Sequence, residues 1–134
     1  MSDYYAKCRS NYFKVKDEDS FREWIGDYDV EIFTDTKNGD QLFGFISCDG
    51  FGCIPVIWED EETGEERSIL DEISEYLADG ETVVIQEVGS EKMRYFCGIA
   101  IAIHSSGKFV NLNLRDIYQI ATEKFGGEIS ECEY

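Results

Sequence analysis

One histidine, five cysteines and 29 carboxylates are the side chains that could carry acid–base, nucleophilic or metal chemistry in this chain. A cysteine nucleophile needs a base to form its thiolate, and His104 is the sole imidazole. It stands at a Ser105-Ser106-Gly107 turn with no partner in view, so a solvated or hydrogen-bonded ring is expected there rather than a catalytic one. Structural zinc takes four Cys or His ligands, usually as two close pairs. Cys48 and Cys53 flank a glycine-containing turn and make one such pair; Cys8, Cys97 and Cys132 supply no second. The segment Asp35-Thr36-Lys37-Asn38-Gly39-Asp40 looks like a calcium loop but puts Lys at its third position and Gly at its fifth, so it reads as a hairpin turn. No glycine-rich phosphate loop opens a helix. The expectation is a protein that is not an enzyme and holds no metal or cofactor; among so many acids no carboxylate pair stands out for proton transfer.

Charge is the distinctive feature. Twelve Lys and Arg against 29 Asp and Glu leave a formal net charge of −17. That excludes a direct nucleic-acid binder and a protein of anionic membrane surfaces. No apolar run approaches the roughly 20 residues of a membrane span. The beginning, Met1-Ser2-Asp3-Tyr4, has no signal-peptide character, and an odd number of thiols suits a reducing compartment, so a cytoplasmic location is expected.

The acids are not spread evenly. Nine fall between Glu59 and Glu75 against the single base Arg67, while residues 1–16 carry Lys7, Arg9, Lys14 and Lys16 against Asp3. Asp60, Glu61, Glu62, Glu65, Glu66, Asp71, Glu72 and Glu75 are the candidate binding residues, with Trp58 as an apolar anchor beside them. Carboxylates two apart on a strand, such as Asp60 and Glu62, or four apart on a helix, such as Asp71 and Glu75, lie about 5–7 Å apart. Phosphates along one nucleic-acid strand have a similar pitch, roughly 6–7 Å. A surface of this kind fits a basic nucleic-acid-binding protein and would displace its natural ligand. The competing readings are a charged face that only keeps the domain soluble, a module that self-assembles into a homo-oligomer through an exposed strand edge, and a small enzyme using a carboxylate pair.

Three stretches with helical periodicity have to position these groups. Ser20 and Glu23 form a capping-box pair ahead of Phe21, Trp24, Ile25 and Tyr28. Ser68 caps a stripe of Ile69, Leu70, Ile73, Tyr76 and Leu77 that stops at Gly80. A third helix starts near Asn113 and carries Leu114, Ile117, Tyr118, Ala121 and Phe125 up to Gly126-Gly127. Strands are expected at 12–15, 29–34, 41–47, 54–58, 81–88, 93–104 and 108–112. Pro55 puts its strand at a sheet edge, and apolar residues on both faces of 95–104 suit a strand covered on each side. The small row Gly98, Ala100 and Ala102 would let a helix approach closely. The fold class is α+β: one domain over 1–134, with an antiparallel or mixed sheet of six to seven strands and three helices packed on it. A βββα order occurs twice, over 29–78 and 81–126.

The segments Ser10-Asn11-Tyr12-Phe13-Lys14-Val15-Lys16-Asp17 (followed by Phe21), Leu77-Ala78-Asp79-Gly80-Glu81, Glu87-Val88-Gly89, Lys92-Met93-Arg94-Tyr95 and Gly98-Ile99-Ala100-Ile101-Ala102 resemble a family of small acidic proteins carried by bacterial phages, plasmids and integrative elements. The resemblance covers the beginning and second half of the chain and is thin over 29–76. It implies a mobile-element setting, in which small acidic proteins act as anti-CRISPR or anti-restriction inhibitors of host defence. It carries over no catalytic residue.

Overall fold

The computed structural model describes residues 4–48, 52–57, 66–91 and 95–130. In chain order these form β1 (Tyr4–Ser10), α1 (Glu18–Ile25), β2 (Val30–Lys37), β3 (Asp40–Ser47), β4 (Val56–Ile57), β5 (Arg67–Ser68) and α2 (Ile69–Glu72), which a 3₁₀ turn continues over Ile73–Tyr76. β6 (Thr82–Glu91), β7 (Tyr95–His104), β8 (Phe109–Asn113) and α3 (Asp116–Phe125) complete the described elements. Six strands make one antiparallel sheet in the order β2-β3-β1-β6-β7-β8, and β4 pairs with β5 in a separate ribbon. The fold is α+β.

The centre of the sheet is a strand that the apolar pattern does not announce. β1 lies between β3 and β6, whereas the strand expected at 12–15 is reduced to single bridges, Phe13 to Phe43 and Val15 to Leu77. Side chains replace the ladder where β1 ends. Ser10 Oγ accepts the Phe45 N–H at 2.9 Å, and Asn11 Oδ1 accepts the Val84 N–H at 2.9 Å. The first of these bonds satisfies a buried backbone group and the second an exposed one as the chain swings out of the sheet.

Two helical elements cover one face. α1 begins a turn before the expected capping box, because Asp17 is its N-cap and accepts the Asp19 N–H at 3.2 Å and the Ser20 hydroxyl at 2.8 Å. Its Phe21 meets Phe43 with ring centroids 5.2 Å apart and Phe13 at 5.7 Å. α2 starts at the expected cap, Ser68 Oγ accepting the Leu70 N–H at 3.2 Å. Phe13, Phe21, Ile25, Phe43, Phe45, Ile69, Ile73, Leu77, Val83 and Ile85 are fully buried between these helices and the sheet.

The third helix is different. α3 was expected to pack on the sheet but buries no side chain, and all five residues of β8 before it are exposed. The helix follows an edge strand with no core of its own beneath it, so nothing lies where α3 starts to receive an apolar stripe. β7 is likewise covered on one face: Ile101 and Ile103 are buried, while Ala100 and Ala102 stay half-exposed. Instead of a helix, Leu114 closes on the small row, where a Cβ on Gly98 would fall 2.7 Å from Leu114 Cγ. The second half keeps the expected βββα order, whereas the first reads ββββα, because β4 and β5 pair with each other in the ribbon ahead of α2. Among the described residues no helix is long and apolar enough to cross a membrane.

Candidate acidic binding surface

α1 and α2 lie side by side because Trp24 stacks on Tyr76, ring centroids 4.4 Å apart and planes 13° from parallel. The seam between them is tied by one carboxylate. Glu72 Oε1 accepts the Trp24 indole N–H at 3.0 Å, the Tyr28 hydroxyl at 2.6 Å and an Arg67 guanidinium N–H at 3.0 Å, while Oε2 accepts the Arg67 Nε–H at 3.1 Å. Arg67 also reaches Asp27 at 3.4 Å and lies over the Tyr28 ring at 5.6 Å. The Arg67 hydrogen bonds, helped by those from Tyr28 and Trp24, hold the Glu72 carboxyl at about 2 against the opposing effect of burial. Burial, and then the bond to Glu72, pushes the Tyr28 hydroxyl up. Glu72 was expected to be one of the surface charges; the fold uses it as a hub instead, with every bond it makes turned inward.

A shallow cleft of about 460 Å³ opens above this seam, lined by Ser20, Glu23, Trp24, Asp27, Arg67 and Tyr76. It combines aromatic surface with the carboxylates of Glu23 and Asp27, and the Ser20 hydroxyl in its wall donates to Asp17 at 2.8 Å. The base in its wall, Arg67, is already paired. Arg22, the base on α1, is paired with Glu18 at 3.0 Å. Glu23 in the cleft wall, and Asp19, Glu66, Asp71 and Glu75 on or next to the same elements, are exposed and have no cation partner among the described residues.

Of the residues the sequence singled out, Glu66, Asp71 and Glu75 are exposed, in the segment that runs into and through α2 and its 3₁₀ turn. Trp58, Asp60, Glu61, Glu62 and Glu65 lie outside the described residues, as does the strand pair Asp60/Glu62 that carried the phosphate-pitch argument. The other pair, Asp71 and Glu75, spans the change from α-helix to 3₁₀ turn, so it does not keep a regular helical spacing. The contribution of α1 was missed. Asp19 and Glu23 sit on the polar side of an amphipathic helix, which reads as ordinary solvation until its neighbour is known.

The remaining chemistry-bearing groups are occupied locally. Burial above all, with Glu87 and Cys53 nearby, pushes the Cys8 thiol up to about 12, far from a reactive thiolate. Cys8, Cys48, Cys53 and Cys97 are free thiols, and no group of potential metal ligands occurs among the described residues. His104 Nδ1 accepts the Ser106 N–H at 3.1 Å and lies 2.9 Å from Ser106 Oγ, which staples the β7–β8 turn. No protein-family model, curated protein or solved structure matches the chain.

Proposed function

We propose that this protein is a non-catalytic binding protein that uses its acidic α1–α2 surface to block a basic, nucleic-acid-handling protein. The observation that carries this reading is the fate of Arg22 on α1 and of Arg67 on β5, just ahead of α2. Arg22 and Arg67 are each consumed by a local acid, so Asp19, Glu23, Glu66, Asp71 and Glu75 face solvent without a described counter-cation. Charge left in this state raises the association rate of a positive partner and favours its orientation. The cleft adds a seat for one basic side chain, since a guanidinium or ammonium group entering it meets Glu23, Asp27 and the Trp24–Tyr76 pair together. The resemblance to mobile-element proteins makes a CRISPR or restriction effector the kind of partner to try first.

The test is a charge reversal that spares the hub. Asp19, Glu23, Asp71 and Glu75 are changed together to Lys, leaving Glu72 intact, and both proteins are immobilised and exposed to a bacterial lysate with and without excess duplex DNA. The expected result is retention of nucleic-acid-binding proteins on the wild type, release by DNA and by salt, and loss of retention on the folded variant. Equal retention on the two proteins would refute the acidic-surface mechanism.

A further inference from the structure

We infer that β8 is a dimerisation edge, pairing antiparallel with β8 of a second copy so that the two six-stranded sheets become one. The backbone fixes how this happens. The His104 N–H donates to the Lys108 carbonyl at 2.9 Å and the Leu114 N–H to the Gly98 carbonyl at 2.9 Å. Backbone groups alternate along a strand, so even-numbered residues of β8 face β7 and odd-numbered ones face outward. The outward Asn113 N–H is already taken by Asp116 Oδ2 at 2.8 Å. The outward N–H groups of Phe109 and Asn111 have no acceptor among the described residues. Two free odd positions beside one capped position define a register. Phe109 of each copy pairs with Asn111 of the other, and the two-fold axis passes beside Val110.

The two ends of the sheet differ in the way this inference requires. β2, at the far edge, exposes Glu31 and Asp35, and its Phe33 is flanked by the Tyr12 ring at 5.4 Å and the Arg9 guanidinium at 5.1 Å. Charges on an edge strand oppose pairing with another chain. β8 reads Phe-Val-Asn-Leu-Asn and has none. Residues 108–115 contain Lys108 and Arg115 and no acid, so in a chain whose net charge is −17 this stretch adds no carboxylate to the repulsion between two copies.

Apolar area points to the same occupant. Phe109, Val110, Leu112, Ile117, Ile120 and Phe125 are each 56–78% exposed. At on the order of 100 Å² each, they leave roughly 600 Å² in water, Phe109 on one face of the sheet and Val110 and Leu112 on the other, against the ~800 Å² per partner of a stable interface. α3 begins three residues after β8 ends and carries half of these side chains. A two-fold contact is self-complementary and needs no second surface.

Sedimentation of the full chain tests the inference, which stands independently of the proposed partner. The wild type is expected at twice the 15.4 kDa chain mass at micromolar concentration, unchanged between about 0.1 and about 1 M salt. Val110→Lys sets two like-charged side chains directly opposite each other on one face, their Cα atoms about 4.5 Å apart across the axis, and should raise the dissociation constant roughly a hundredfold or more. Asn111→Pro removes an outward donor without touching the bonds to β7, a site where an edge strand tolerates proline, and should give a folded monomer with an unchanged circular dichroism spectrum. Thr34→Lys on β2 should leave the dimer intact. A wild type that remains monomeric at about 100 µM overturns the inference, and so does a dimer that survives Asn111→Pro.

Discussion

α1 and α3 have the same kind of sequence, an apolar stripe at helical spacing with charge on the other side, and they meet opposite fates. α1 buries Phe21, Trp24 and Ile25, whereas α3 buries nothing and leaves Phe125 78% exposed. The difference lies in what each helix follows. α1 emerges from the Phe13 bridge over the middle of the sheet, where Phe43 and Phe45 wait beneath it. α3 emerges from an edge strand that is itself uncovered. An amphipathic stripe states that a helix needs a cover and does not state where the cover comes from. In α1 the chain provides it, and in α3 a second copy is the proposed source.

The comparison breaks most visibly at Phe21. Truncating it to Ala empties a site enclosed by Phe13, Phe43 and Trp24, and should cost about 3–5 kcal/mol in urea unfolding. A loss below about 1 kcal/mol would mean that α1 is no better buried than α3.

The same contrast explains how much of the molecule could be read from its sequence. The hairpin turns were legible because only particular residues fit them: Asn38 and Gly39 both take positive φ, 54° and 84°, as a two-residue hairpin demands. The stripe of α1 and the Ser68 cap were legible for similar local reasons. β1 was not. Its buried side includes Cys8 and Ser10, too small and too polar to make an apolar alternation, yet it lies at the middle of the sheet. The acidic surface was half legible. Acid density along 59–75 marked the region, but the role of Glu72 depends on Trp24 and Tyr28, more than 40 residues away in the chain. Its separation from Asp71 and Glu75 is a tertiary fact that composition does not contain.

Glu72 is next in size and sharpens the comparison by removing the tie that holds α1 against α2. Glu72→Gln should cost about 2–3 kcal/mol at neutral pH, because Arg67 loses its main partner while three donors remain aimed at a neutral amide. The pH dependence follows from the depressed carboxyl. Glu72 titrates near 4.5 in the unfolded chain and about 2 in the folded one, so its contribution is complete above about 4.5 and disappears as the pH falls toward 2. Discounted for partial exposure, that contribution is on the order of 2 kcal/mol. Urea midpoints from pH 5 to pH 2 should therefore fall more steeply for the wild type than for Glu72→Gln. Parallel slopes would show that the four-bond hub carries no net stabilisation.

The smallest expected change is the most discriminating. Ile120 is 56% exposed, so Ile120→Ala in the Val110→Lys background should alter unfolding stability by less than about 0.5 kcal/mol. An apolar residue that contributes nothing to its own fold, on a helix that follows an uncharged edge strand in the chain, has its effect between molecules. In the otherwise wild-type chain, the same substitution should weaken self-association several-fold, read as a shift of the monomer–dimer midpoint in sedimentation. The two readouts must separate for α3 as they cannot for α1, where truncation removes the fold and everything built on it. If Ile120→Ala destabilises the monomeric background by 2 kcal/mol or more, the size of loss expected when a fully buried Ile becomes Ala, α3 is covered from within the chain and the contrast between the two helices collapses.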